Sequence, residues 1–310
     1  MDHSQLLNWL LQGDPAIRWQ TLRDLTDAPP EQVEQERRRV ASEGWGAQFL
    51  SLQDADGKWG GKVYNPKWTS THYTLLLLRQ LGLPPRHPQA LRGLEQMLAY
   101  GNFNDGGYNL WVTVKYSDIC VDAMLLMMLV YFQLDCQQIE GLIDHTLAHQ
   151  LPDGGWNCNW YRGDMTHSSF HTTLSVLEAF YECELAGLRV TDMQTARRAG
   201  EEFLFQHRLF RSHRTGEVSD EKMLKFSFPT RWHYDVLRAL DYFQWSRAPY
   251  DARMQDALDL LLSKRLPDGT WKLENRHGGK TFFEMEKLGS PSRWNTLRAL
   301  RVMRWGEKKE

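Results

Sequence analysis

The sequence is poor in cysteine, in long apolar runs and in net charge. Its four cysteines, Cys120, Cys136, Cys158 and Cys183, show no close CxxC spacing. The N-terminus carries no secretory pattern, so the thiols are expected to be reduced, in a cytoplasmic protein. The longest strictly apolar run, Ala123 to Phe132, is too short to span a bilayer, and no transmembrane segment is expected. The net charge of −2 gives no support to general nucleic-acid binding. Strand patterning is weak throughout, which argues against a fold built from sheets.

What is present is a repeat. Gln53 to Trp59 reads QDADGKW and Gln150 to Trp156 reads QLPDGGW. Asn102 to Tyr108 (NFNDGGY) and Arg265 to Trp271 (RLPDGTW) are looser copies. Asp56, Asp105 and Asp153 recur at intervals of 49 and 48 residues, and Asp268 follows 115 later. A period in this range marks one supersecondary unit used repeatedly. The Asp-Gly pair permits the positive φ that reverses the chain after a helix. The aromatic can cover a neighbouring hairpin, and the leading Gln or Arg can bond loose helix-end carbonyls.

Between the turns the apolar spacing is helical. Amphipathic stretches precede the turns, at Gln32–Leu52, Pro88–Tyr100, Cys136–Gln150, Asp192–Leu209 and Tyr250–Leu266. More apolar stretches follow, at Ser70–Leu81, Asp118–Phe132, Ser168–Glu184, Arg231–Trp245 and Ser292–Trp305. The fourth unit has Ser212–Asp220 in place of the turn. Ser4–Leu11 and Pro15–Leu25 add a partial hairpin within residues 1–30, with Asp14-Pro15 reading as a helix start. The expectation is an all-α, single-domain α/α toroid (an α6/α6 barrel) over residues 1–310. Its six helical hairpins would form an apolar inner ring and an amphipathic outer ring, with five repeats in residues 31–308. An open solenoid is the alternative.

The QxxxGxW turns resemble the repeat of squalene and oxidosqualene cyclases, and the hairpin repeat resembles the β subunits of protein prenyltransferases. The resemblance covers roughly residues 31–308. It implies an α/α toroid whose inner helices surround a lipid-binding cavity. The cyclase branch uses a DxDD acid, and Asp118-Ile119-Cys120-Val121-Asp122 stands at that place with a different spacing. The prenyltransferase branch carries KxxDxC, matched by Lys115-Tyr116-Ser117-Asp118-Ile119-Cys120, and a His-Thr one repeat later, matched by His171-Thr172. Val112 and Val121 depart from that branch's Arg and Tyr. The resemblance implies zinc at Asp118, Cys120 and His171, and an anion held by Lys115. Three such ligands leave an open, catalytic position, whereas Cys158 as a fourth would close it. Each ligand also has a structural reading: Asp118 as a helix cap, Cys120 as a small buried residue, His171 as a bonded core residue.

Asp118, Asp122 and His171 are thus the catalytic candidates. His72, His171 and His233 read as one register of three inner helices. With Lys115, Arg162, His167 and Arg231, and with the rings Tyr73, Trp160 and Trp232, they would bind an isoprenoid or other anionic lipid-like substrate. The expected function is a prenyltransferase- or terpene-cyclase-like enzyme. A non-catalytic toroid module is the alternative, as is a carbohydrate-processing enzyme using carboxylate pairs such as Asp122 with Asp164 or Asp235.

Overall fold

The computed structural model describes residues 1–111 and 114–307, so Val112, Thr113 and residues 308–310 lie outside it. Among the described residues thirteen α-helices follow one another: α1 His3–Leu11, α2 Pro15–Leu25, α3 Pro30–Arg38, α4 Gly44–Ser51, α5 Thr71–Leu81, α6 Pro88–Tyr100, α7 Ile119–Phe132, α8 Gln138–Ala148, α9 Phe170–Leu185, α10 Val190–Gln206, α11 Val236–Trp245, α12 Gln255–Ser263 and α13 Arg293–Glu307. Two-residue strands, β1 Trp271–Lys272 and β2 Pro291–Ser292, pair antiparallel before α13. Among the described residues no helix is long and apolar enough to cross a membrane.

The chain is an all-α toroid. The inner ring is α2, α5, α7, α9, α11 and α13. α7 packs on α5 and α9, α11 on α13, and α13 on α2. Trp19 of α2 donates from Nε1 to the Leu81 carbonyl of α5 at 2.9 Å. Arg238 of α11 bonds Ser175 and Glu178 of α9. These last two contacts close the circle, so the open solenoid does not form. Composition explains the layering. In α7, 12 of the 14 residues are buried, because neighbours cover every side. Outer α6 buries only the stripe Ala90, Gly93, Leu94 and Met97.

The glycine–aromatic turns clamp each hairpin. Gly57, Gly106, Gly154 and Gly269 have φ of 90°, 93°, 92° and 90°, which a side chain would strain. The aromatic that follows then points its polar atom back at the outer helix it has just left. Nε1 of Trp59, Trp156 and Trp271 donates to the carbonyls of Phe49, Thr146 and Leu261 at 2.7, 2.8 and 2.8 Å. Tyr108 does the same to Met97 through its hydroxyl. The backbone N–H of each aromatic goes the other way, to a side chain in the first turn of the inner helix. Thr71, Asp122, Thr173 and Thr296 accept it at 3.0, 2.6, 3.0 and 3.0 Å. Gln53 and Gln150 complete the clamp by bonding their own glycine's carbonyl and a carbonyl of the next outer helix, at Gln89 and Ala196. That next helix passes close over the ring: a Cβ on Gly93 or Gly200 would come within 2.7 or 2.8 Å of Trp59 or Trp156.

Two expected elements differ. Gln32–Leu52 is broken between α3 and α4, where Gly44 has φ 63° and the Asp14 carboxylate accepts the Trp45 N–H. Arg231–Trp245 becomes helical only at Val236, because Asp235 caps α11 by accepting from Arg238 N at 2.8 Å. The segment before it is a loop in which Arg231 has φ 58°. In this fourth unit, which lacks the turn, Asp235 still catches a backbone N–H, from Ser227 at 3.1 Å.

The clamp predicts where stability is concentrated. Thr173→Val leaves the buried Trp156 N–H without an acceptor, and Trp156→Phe removes the indole donor to the Thr146 carbonyl, leaving it only the longer His149 N–H bond at 3.4 Å. Each is expected to cost about 1–3 kcal/mol. Tyr100→Ala, on an exposed outer face, is expected to stay within about 0.5 kcal/mol of the parent. Urea denaturation of the three variants checks the ordering, and equal midpoints for all three would refute it.

Candidate functional site

The loops that lead into the inner helices gather at one end of the toroid. Asp118 precedes α7 at the position where a side chain usually caps a helix, yet it makes no cap bond. Its carboxylate instead accepts from Trp111 Nε1 at 3.4 Å. Burial raises its pKa above the ordinary 3.8, against the opposing pull of that bond and of Lys67. Tyr64 lies beside it, edge-on to Trp111 at 5.8 Å and bonded through its hydroxyl to Tyr73 at 2.9 Å. Trp68 meets Tyr73 edge-on at 4.7 Å. Lys67 sits 5.6 Å from the Trp68 ring and 5.3 Å from the Trp232 ring, linking the two walls.

The opposite wall is a stack of rings. Trp232 lies on His233 at 3.8 Å, and His233 on His277 at 3.7 Å. His171 meets Trp232 at 5.2 Å and His233 at 5.8 Å. Arg231, 8% exposed, lies over Trp68 at 5.4 Å. Burial lowers its pKa to about 10. Burial also depresses the histidines, His72 and His233 to about 3 and His171 and His277 to about 4. They are neutral imidazoles near pH 7. Both ring nitrogens of His72, Nε2 of His277 and Nε1 of Trp232 are buried without a hydrogen-bond partner. Trp68 donates from Nε1 to the carbonyls of His277 and Gly278, and its backbone N–H to Lys280, so the loop after β1 is tied across this mouth. Two small spaces remain: about 50 Å³ beside Tyr73, Met127 and Arg231, and about 40 Å³ beside Arg231, His277 and Phe283.

The structure sorts the sequence candidates. Asp118, Tyr73, His72, Arg231, Trp232, His233 and His171 converge on this mouth. Lys115, Trp160, Arg162 and His167 do not share it. Lys115 is exposed over Tyr116, and Arg162 is exposed on its loop. His167 is exposed against Arg214. Trp160 is turned to the carboxyl end of outer helix α8, its ring tilted at 51° against His149 with centroids 3.7 Å apart.

Asp122 is a structural residue. It holds the Tyr108 N–H, lies 3.1 Å from His145 Nδ1, and is fully buried. It is the counterpart of Thr71 and Thr173, not a free acid. Asp235 is likewise committed, to Ser227 and Arg238, and Asp164 is exposed. The carboxylate pairs that carbohydrate chemistry needs are therefore absent from these positions.

The histidine register also changes. Counted from the side chain that holds each turn, Cys120, His171 and His233 are equivalent, whereas His72 lies three positions deeper. His277, Tyr64 and Trp111 were missed by the helical pattern because they stand on irregular loops.

The donors proposed for zinc do not make a ligand set as arranged. His171 uses Nδ1 to accept the Tyr234 N–H at 2.8 Å, which leaves its proton on Nε2. Cys120 is paired with Cys158, and the bond to the Cys158 thiol and burial push the Cys120 thiol well above its ordinary range. Cys158 accepts the Cys120 N–H at 3.3 Å and lies 3.4 Å from Thr172 Oγ1. Among the described residues no three His, Cys, Asp or Glu side chains converge as metal ligands do.

No protein-family description matches the sequence, and no curated protein does. Among solved structures the chain is similar to a protein from Actinoplanes, at 16% identity and TM-score 0.49, over 99% of this chain and 100% of that one. It is similar to the type II terpene cyclase MstE from Scytonema, at 15% identity and TM-score 0.48, over 93% and 86% of the two chains. It is also similar to a substituted form of MstE in complex with geranylgeranyl dihydroxybenzoate, at 15% identity and TM-score 0.47, over 96% and 87%.

Proposed function

We propose that the toroid is a terpene-cyclase-like enzyme acting on a prenylated small molecule at the mouth around Asp118. The observation that carries this reading is the state of Asp118. Three other inner helices spend their starting side chains on caps, through Asp14, Ser169 and Asp235, and in α5 Ser70 is spent instead on the Tyr64 carbonyl. Asp118 is spared, carries no ion pair to an arginine among the described residues, and is held by burial toward its protonated form. An acid in an aromatic, half-dry wall suits protonation of an alkene. The Asp118 O–H bond breaks and its proton adds to one alkene carbon, so the adjacent carbon becomes a cation. The next alkene's π electrons close the ring, and loss of a proton ends the sequence. The faces of Tyr64, Tyr73 and Trp68 offer the electrostatic partner for the cation.

The step needs neither zinc nor an anion held by Lys115, which is exposed while Arg231 is buried over Trp68. The two small spaces are far below the volume of a long prenyl chain. A substrate would part the loop carrying Trp68 from the loop carrying His277. The prenylated ligand of the MstE complex is a chemistry of the same kind, but the reading stands on Asp118 and its surroundings. A non-catalytic module is the second reading, favoured by how fully the rings fill this mouth.

The test is turnover of geranylgeranyl- and farnesyl-substituted phenolic acids, followed by mass spectrometry for products isomeric with the substrate. Asp118→Asn is expected to lower kcat by about 10²–10⁴-fold with KM little changed. The acid works only when protonated, so the rate is highest below its raised pKa and is lost as pH rises through it. Asp118→Glu should restore part of the rate. Turnover that survives Asp118→Asn would remove this mechanism. Binding of such compounds with no turnover in the parent protein would favour the module.

A further inference from the structure

The larger hollow of the toroid lies at its other end. A cavity of about 540 Å³ opens among the carboxyl-terminal ends of the inner helices, within the size range of small-molecule sites. Its lining holds seven arginines and four carboxylates. The carboxylates are used up by pairing. Arg79 takes Glu182, Arg238 takes Glu178, and Arg23 and Arg301 share Asp24. Asp241 serves both Arg301 and Arg298. Burial alone would raise Asp241, but these two guanidinium groups hold it below its ordinary range.

Arg298 is left with unmet donors. Its side chain is 2% exposed and bonds Asp241 through Nε at 3.0 Å, while Nη1 is buried with no partner. An unmet, buried, charged donor is costly. Inner helix ends are partly negative and attract arginine, as where Arg37 donates to the Gly82 carbonyl at 3.1 Å. That does not serve Arg298, which sits inside α13, one turn before Arg301, where the helix's own bonds hold the carbonyls. At the rim, Arg247 is exposed, held by a left-handed backbone (φ 53°), and has no carboxylate partner among the described residues.

We infer that this cavity binds a small anion rich in carboxylate or phosphate oxygens, with Arg298 on its floor and Arg247 at its rim. The unspent guanidinium donors fit such oxygens in fork geometry. The cavity lies at the opposite ends of the inner helices from Asp118, although the small space beside Tyr73 and Arg231 shares Arg79, Gln80, Glu178 and Arg238 with its lining; neither reading depends on the other.

Isothermal titration calorimetry of the purified protein with citrate and with inorganic phosphate tests it, and the two probes distinguish carboxylate from phosphate recognition. At least one is expected to bind saturably at one site per chain, with Kd below about 1 mM. Binding should weaken as sodium chloride is raised, because charge attraction is screened. Arg298→Lys keeps the charge but loses the fork and is expected to weaken binding about tenfold or more. Arg247→Gln, on the exposed rim, is expected to weaken it severalfold with the melting temperature unchanged. Loss of affinity in either folded variant supports the site. No saturable binding in the parent protein overturns it, as does unchanged affinity in both variants. Arg247→Gln alone decides if Arg298→Lys does not fold.

Discussion

The toroid depends on a buried aromatic that bonds in two directions. A ring nitrogen or hydroxyl reaches back to the outer helix, and the backbone N–H reaches forward to the inner helix. Trp156 shows why one residue can do this: Nε1 meets Thr146, and the main-chain N–H meets Thr173, with the ring fully buried between. A buried indole needs a partner for its N–H, and a helix end needs a donor for its last carbonyls. Each need answers the other. Repeating the arrangement sets the angle between one hairpin and the next, and that angle decides whether the ring closes.

The same device explains what the first turns of the inner helices are free to do. One side chain per helix must hold the turn, and in the second unit that side chain is Asp122 instead of threonine. A carboxylate there is bound by geometry before it can be used by chemistry. The acid that remains available is Asp118, four residues earlier, because the cap bond that would have occupied it is not made.

Much of this was legible in the sequence. The turn period placed the hairpins, and the contrast between α7 and α6 in apolar content placed them in separate rings. Asp118 and the rings Tyr73 and Trp232 followed from where the inner segments begin, whereas Trp111 and Tyr64, the rings beside Asp118, did not. What was not legible had a common cause, the irregular loops. Nothing in a helical period places His277 on His233, or turns Trp160 outward onto His149. The Cys120, Asp118 and His171 pattern is real as spacing. Spacing cannot show that His171 Nδ1 is already taken by a backbone N–H in the next unit. His72 misled for a subtler reason: similar flanking residues suggested one register, and the hydrogen bond to the turn sets another.

The two ends of the inner ring carry opposite kinds of polarity, and helix electrostatics accounts for the division. All six inner helices run the same way, so their partly positive amino ends share one mouth and their partly negative carboxyl ends the other. Burying protonated imidazoles beside positive helix ends would be doubly unfavourable, and the histidines there are kept neutral by burial. At the other end arginines are favoured, and they outnumber the carboxylates that pair with them. Parallel alignment thus makes a mouth of rings and weak acids at one end and a guanidinium-lined hollow at the other, from a single repeated hairpin. An aromatic mouth whose cations, Lys67 and Arg231, lie against Trp68 and Trp232 offers an apolar chain ring faces and neutral imidazoles. A hollow with unspent guanidinium donors is suited to an anion instead.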